Sequence, residues 1–250
     1  MTFDYRGIPG FDISTYQDSP LISGTVDFQK MRDYGARFVI FRASVGLTKD
    51  ADYDTYVANC NNVLPWNAYH YYSQYQDAKK QAAAFWNAIK NNPPRTVWLD
   101  CEEGNTDTWR GWYDFIEEFK RLSGFTDDRI GIYTGYYVWT SITTYATNEQ
   151  KKYFGKFYLW MAWYFADPLH PNYSVVKRPY PWAEMDILQS GTPAIGKAVG
   201  VESEEIDYNH LNGDETKLAQ LFGGVVVPPP TGPKLIHKLG VYDDGSVKEI

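Results

Sequence analysis

The sequence predicts an α/β protein whose mostly parallel sheet closes into a barrel. Three observations carry this. Short apolar runs alternate with helical patterns along the first 220 residues or so, the signature of repeated strand–helix units. The runs are rich in β-branched and aromatic residues with little polar alternation, as in strands covered on both faces. No GxGxxG or Walker motif is present, which argues against an open nucleotide-binding sheet.

A first strand is expected over residues 7–13, and a modest helical pattern follows at 26–34. Arg37-Phe38-Val39-Ile40-Phe41-Arg42-Ala43 reads as a buried strand, and 52–61 as a second modest helix. A third strand is expected over 66–72. Ala82, Phe85, Trp86 and Ile89 then fall at i, i+3, i+4 and i+7, one apolar stripe. Ser73 and Gln76 stand at capping-box spacing before it, and Asn92-Pro93-Pro94 ends it, because proline cannot continue the hydrogen-bond ladder. Residues 96–101 form the next strand. Trp109, Trp112, Ile116 and Phe119 make a second stripe, opened by Thr106 or Asp107 and closed near Gly124. Further strands are expected over 129–134, 157–163 and 185–189, and a last one around Ile206-Asp207-Tyr208-Asn209.

Composition narrows the function classes. Net charge is −7 with no Lys/Arg cluster, so nucleic acid is not an expected partner. No apolar run has the length of a membrane span, and the start lacks a signal-peptide stretch, so synthesis without a signal peptide and no membrane insertion are expected. The 2 cysteines, Cys60 and Cys101, make no disulfide framework and are expected as buried free thiols. Aromatics reach 17%, enough both to fill a core and to line a wet cleft. The expected layout is one domain over 1–222, a Pro-rich linker over 223–233, and a tail or the start of a further module over 234–250.

The chemistry centres on Trp98-Leu99-Asp100-Cys101-Glu102-Glu103-Gly104. Alternate strand residues share a face. Trp98, Asp100 and Glu102 therefore point one way, and the apolar Val97, Leu99 and Cys101 the other. Two carboxylates at the carboxyl end of a barrel strand stand where barrel enzymes keep catalytic groups. A rise of ~3.3 Å per residue sets their Cβ atoms roughly 6.5 Å apart, within reach of the ~5–5.5 Å carboxyl spacing of retaining glycosidases. Two close carboxyls do not readily both ionise, so one keeps its proton. A lone D-x-E is more often a solvated turn, and Glu103 reads as one. Asp12, at the end of the first strand, and Asp207, at the end of the last, change that balance, because those strands are neighbours in a closed barrel. Four acids then converge on one mouth.

In order and spacing, several pieces resemble the family 25 glycoside hydrolases, the Ch-type lysozymes of phage endolysins and bacterial autolysins. These are Gly10-Phe11-Asp12-Ile13-Ser14 with Gln17, Phe38 to Ser44, Ala68 to Tyr72, Leu99 to Glu102, Ile132-Tyr133-Thr134, Leu159 to Ala162, Leu188-Gln189-Ser190 and Ile206 to Asn209. The resemblance covers residues 10–211. It implies an irregular, flattened barrel that hydrolyses the β-1,4 bond between N-acetylmuramic acid and N-acetylglucosamine of bacterial peptidoglycan. It further implies that Glu102 is the general acid, that Asp100 stabilises charge or orients the substrate's N-acetyl group, and that Asp12 and Asp207 are the two further acids of the site. No cofactor is implied, a monomer is expected, and the site of action is the cell wall, reached as a released phage lysin or extracellularly. The chain departs from the family at Val45, where an acid is usual, in the extra stretch from Asp18 to Gly24, and at Cys101.

By strand parity Tyr69 and Tyr71 share a face, as do Arg42 and Ser44, while Tyr133, Trp163 and Gln189 fall near strand ends. Tyr69, Tyr71, Arg42, Tyr133, Trp163 and Gln189 are the candidates for lining a sugar cleft. Barrel filling is the alternative for the aromatics, and a structural ion pair for Arg42. The 4 histidines show no metal-ligand spacing, and His70 reads as a satisfied core histidine. Two other functions fit the same sequence: a non-catalytic glycan-binding barrel and a hydrolase of chitin-like chains.

Overall fold

The computed structural model describes residues 7–18 and 26–223. The Pro-rich segment beyond 223, the tail 234–250 and most of the extra stretch after Asp18 lie outside the described residues. Nine strands form one sheet: β1 (Ile8–Ile13), β2 (Phe38–Val45), β3 (Thr48–Lys49), β4 (Trp66–Tyr71), β5 (Val97–Asp100), β6 (Ile130–Gly135), β7 (Tyr158–Ala162), β8 (Ile187–Gly191) and β9 (Asp207–Leu211). The helices are α1 (Phe28–Tyr34), α2 (Tyr53–Cys60), α3 (Ala78–Ile89), α4 (Thr108–Ser123), α5 (Tyr136–Ile142), α6 (Asn148–Phe154), α7 (Gly196–Val199) and α8 (Glu215–Phe222). The strand order is β1-β9-β8-β7-β6-β5-β4-β2-β3, and a β1–β2 pairing closes eight strands into a barrel, with β3 a short ribbon on β2. Barrel neighbours pair in parallel except at β9, which runs antiparallel to both β1 and β8.

Strand parity sorts the apolar residues into two layers. Phe38, Ile40, Tyr69, Trp98, Tyr133, Trp160, Ile187 and Leu211 fill the barrel. Val39, Phe41, Ala68, Val97, Leu99, Cys101, Ile132 and Leu159 belong to the outer layer, together with Phe28 of α1, Tyr56 of α2, and Phe85, Trp112, Phe115, Ile116 and Phe119 of α3 and α4. The end of the barrel where the parallel strands begin is plugged by α8. There the Phe222 ring lies 4.6 Å from Phe38, and the Leu221 carbonyl accepts from Asn67 Nδ2. Trp98 lies in the middle of the barrel, and its large ring fits because Gly131, its partner across the β5–β6 pair, has no side chain. A Cβ there would stand 2.2 Å from the indole.

Several local expectations change. The cap of α3 is Asp77, whose side chain accepts from Lys80 N; Ser73 N instead donates to Gln81 Oε1. Asp107 precedes α4 without a side-chain cap bond, and the helix closes at Gly124 in the left-handed conformation. A bulge between Arg42 and Ser44 breaks the parity that put these two on one face. Arg42 keeps the inward register beside Tyr69. Ser44 turns outward and bonds His70 Nδ1 at 2.8 Å. His70 is fully buried, bonds Gln81 Oε1 through Nε2 at 3.2 Å and stacks on Phe115, so it is a satisfied core histidine. Cys60 and Cys101 are both buried and free.

Candidate active site

Four acids are brought together where the parallel strands end, close enough to feel one another's charge, in what we call the hollow, and each is held there by its own strand. Asp12 is on the inward face of β1. Asp207 pairs with it across β1–β9. Because β9 runs backwards, Asp207 opens its strand rather than ending it, which corrects the placement expected from sequence: the start of the reversed strand lies level with the ends of the others. Asp100 ends β5, between Tyr71 and Tyr133 of the neighbouring strands. Beyond it the chain stays tied to β6. Cys101 N donates to the Tyr133 carbonyl at 2.8 Å, and Thr134 Oγ1 donates to the Cys101 carbonyl at 2.8 Å. Those two bonds extend the strand's alternation past its end and leave Glu102 on the Asp100 side. Gly104, at φ +144°, turns the chain away towards α4.

Asp12 is 5% exposed, and its Oδ2 accepts from Asn209 Nδ2 at 2.7 Å and Gln189 Nε2 at 2.9 Å. Gln189 is a hub, since its Oε1 also accepts from the hydroxyls of Tyr133 at 2.7 Å and Tyr164 at 2.9 Å. Asn209 is fixed in turn by Trp160 Nε1, which donates to its Oδ1 at 2.8 Å. Tyr71 donates to the Glu102 carboxyl. Asp100 is equally buried, yet its Oδ1 has no hydrogen-bond partner.

All four acids hold protons more tightly than ordinary carboxyls, and in each the largest cause is loss of water. Burial lifts Asp12 to about 6 despite its two amide bonds. Burial and then the Asp12 charge lift Asp207 to about 8, so Asp12 ionises first and Asp207 keeps its proton longer. Asp100 is pushed well up by burial and by Glu102 and Asp12, with Arg42 opposing. Glu102 stands open at the lip, but the surrounding wall still raises it, helped by Asp12 and Glu103 and opposed by the Tyr71 bond. The repulsion between Asp100 and Glu102 falls on Asp100, the deeper of the two. Such a site can hold a transferable proton beside carboxylates that ionise when a positive charge develops nearby.

The other predicted residues divide. Tyr69 and Tyr133 are buried on the inward face, Tyr71 is half-buried beside Glu102, and Gln189 holds Asp12. Arg42 is ion-paired at 2.8 Å, with Asp50 rather than with one of the four acids, and its guanidinium lies 4.9 Å over the Tyr16 ring. Trp163 has the outward parity and stacks on Tyr137 at 6.1 Å, beside Tyr136. Its neighbour Tyr164 is the residue that reaches the Gln189 hub. Sequence reasoning passed over Tyr164 because it follows the end of β7, where alternation no longer applies. Asn209 was legible from its shared parity with Asp207 but was not singled out. Among the described residues no group of His, Cys, Asp and Glu is arranged to hold a metal ion.

Residues 11–187 match the model of the glycosyl hydrolases family 25. No curated protein sequence matches the chain. Among solved structures, a muramidase from Trichobolus zukalii is 26% identical with a TM-score of 0.64, covering 87% of this chain and 100% of its own. A lysozyme from Streptomyces coelicolor is 23% identical with a TM-score of 0.68, covering 88% and 99%. The catalytic domain of an endolysin from a Listeria monocytogenes bacteriophage is 20% identical with a TM-score of 0.62, covering 88% and 100%. The latter two likenesses speak to the fold.

Proposed function

This chain belongs to the glycosyl hydrolases family 25, and from that premise we propose that it is an endo-acting muramidase. It cuts the β-1,4 bond between N-acetylmuramic acid and N-acetylglucosamine in bacterial peptidoglycan, acting as a single chain on the cell wall without entering a membrane. The observation that supports this best is the cluster of Asp12, Asp100, Glu102 and Asp207, four acids sharing one hollow with their proton affinities raised together.

Glu102 is the general acid. It is open to the cleft, where a glycosidic oxygen can reach it, and burial together with the Asp12 charge raises its proton affinity above that of an ordinary glutamate, in the direction an acid catalyst needs. Asp100 supplies the complementary function. Its carboxylate accepts the N–H of the N-acetyl group at the scissile sugar, and its charge stabilises the cation forming there. The acetamido oxygen attacks the anomeric carbon as the bond to the leaving oxygen breaks and Glu102 delivers its proton to that oxygen. Water, losing a proton to Glu102, then opens the cyclic intermediate, and the enzyme returns to its starting state. Asp12 carries the negative charge of this pair while Asp207 keeps its proton beside it, and the Gln189–Tyr133–Tyr164 network fixes Asp12. Tyr69 and Tyr71 line the cleft.

The test is product analysis on purified peptidoglycan and on chitin. Borohydride reduction of the peptidoglycan digest is expected to yield reduced muramic acid as the new end. Reduced glucosamine, cleavage of chitin alone, or wall binding with no new ends would sink the reading. Glu102→Gln keeps the shape and removes the proton, so wall clearing is expected to fall ~10²–10⁴-fold; clearing at the parental rate would show that another group is the acid.

A further inference from the structure

Outside the mouth, the first two turns of α4 and the helix α6 enclose a groove of about 420 Å³ lined by Trp109, Arg110, Tyr113, Asp114, Gln150 and Tyr153. We propose that this groove is a second glycan-binding site, taking an N-acetylhexosamine unit of the same strand that the active site cuts. The proposal rests on the muramidase reading for the identity of the strand.

The volume lies within the roughly 300–1,000 Å³ of small-molecule sites. The lining has the mixed character that sugars select: flat apolar faces flanked by a few polar groups. Tyr113, 42% exposed although it is an aromatic residue on a well-packed helix, has its ring centroid 4.6 Å from that of Tyr153, and the two planes meet at 57°. The pair is packed ring on ring and presents two adjoining aromatic surfaces to the groove. Tyr153 is held rigidly, its hydroxyl donating to Glu117 at 2.6 Å, so its ring is pre-oriented. Trp109 forms the floor, with Arg110 lying 4.6 Å over its ring, and the indole N–H of Trp109 is buried with no hydrogen-bond partner. Asp114, Arg110 and Gln150 stand at the edges, supplying an acceptor, a donor and an amide for hydroxyl and N-acetyl groups. None of these six residues belongs to the hollow. The groove is on the first turns of α4, the helix that follows Glu102 and Gly104 in the chain. On this proposal a polymeric substrate is held at both places, and gripping the strand at a second point raises the local concentration of bonds to cut.

The test uses the full chain carrying Glu102→Gln, so that substrate is bound and not consumed, with tri-N-acetylglucosamine as soluble probe and purified peptidoglycan as insoluble one. Two binding events are expected for the soluble probe. Tyr113→Ala is expected to remove one of them and weaken retention on peptidoglycan by ~10-fold, the scale of one aromatic contact. Tyr34→Ala, an exposed tyrosine outside both sites, is expected to change neither. One binding event, unaltered by Tyr113→Ala, would overturn the second site. If Tyr113→Ala disturbs folding, the Asp114→Ala and Gln150→Ala variants give the same readout from the groove's edges. The two readings fail separately. A parent chain that releases no reducing ends but still loses sugar binding on Tyr113→Ala keeps the groove and sinks the hydrolase. A parent chain that lyses walls, with Tyr113→Ala binding as before, sinks the groove alone.

Discussion

The two ends of the barrel handle polar groups in opposite ways. At the α8 end, the buried Asn67 amide has both its functions used: Nδ2 donates to the Leu221 carbonyl, and Oδ1 accepts from Thr96 N. Rings and aliphatic side chains from Phe38, Leu218, Leu221 and Phe222 pack this end, where the polar exceptions are the Thr96 hydroxyl, which has no partner, and Arg37, paired with Glu215 of α8 at 2.9 Å. At the mouth, acids are crowded together, their proton affinities are raised, and Asp100 Oδ1 is left without a partner. A buried unsatisfied carboxyl costs stability. One scaffold thus divides its work: the closed end is packed mainly with rings and aliphatic side chains, and the open end crowds four acids whose proton affinities are raised together.

The contrast is broken most directly by the loss of activity expected for Glu102→Gln, which should leave the melting temperature close to the parent's. The matching change at the closed end is Phe222→Ala. It is expected to destabilise by about 3 kcal/mol, the lower end for a buried Phe because the residue lies in the last turn of α8. Denaturant titration measures this, and wall clearing well below the melting point should persist. Loss of turnover without loss of stability there would mean that the two ends are not separable.

Much of this division was legible beforehand. Parity along Trp98, Asp100 and Glu102 gave the inward face because nothing interrupts the alternation of β5. The same reasoning failed at Arg42 and Ser44, where a bulge inserts a residue that leaves no mark in composition. The direction of β9 was also hidden: Ile206-Asp207-Tyr208-Asn209 reads alike whichever way the strand runs, and only pairing with β1 and β8 decides. Helices α5 and α6 are 7 residues each, too short to show a full apolar stripe. The groove that α6 forms with α4 is accordingly invisible in the sequence, where Trp109 stands only as one member of the α4 stripe and Tyr113 falls outside it.

The next change tests how firmly the mouth is built. Gln189→Leu removes a donor from Asp12 and the acceptor of two tyrosine hydroxyls. It is expected to cost about 1–3 kcal/mol and to move Asp12 upward from about 6, because the lost bond favours the ionised form. Carboxyl-carbon NMR titration reads that shift, and an unmoved or lowered Asp12 would refute the hub.

The last expected effect is on pH dependence. Asp207 titrates at about 8 in the folded chain against 3.8 as an ordinary aspartate. Between those values the native state holds more protons than the unfolded state, so this residue's contribution makes stability fall as pH rises. His70 and His210, lowered to about 3 and about 4 by burial, act in the other direction below about 6.5, where the unfolded chain takes up protons that the native chain refuses. Asp207→Asn isolates the carboxyl. Its melting temperature should exceed the parent's above the folded value, with the gap closing as pH falls towards 4. A gap that is constant across the range would mean that Asp207 is not held protonated.

Gly131 ties these ends together. With no side chain there, the Trp98 indole has room inside the barrel, two residues below Asp100 on the same face of β5. A single methyl at 131 would stand 2.2 Å from that ring and force it to move. The packing directly beneath the acids thus depends on an atom the chain leaves out.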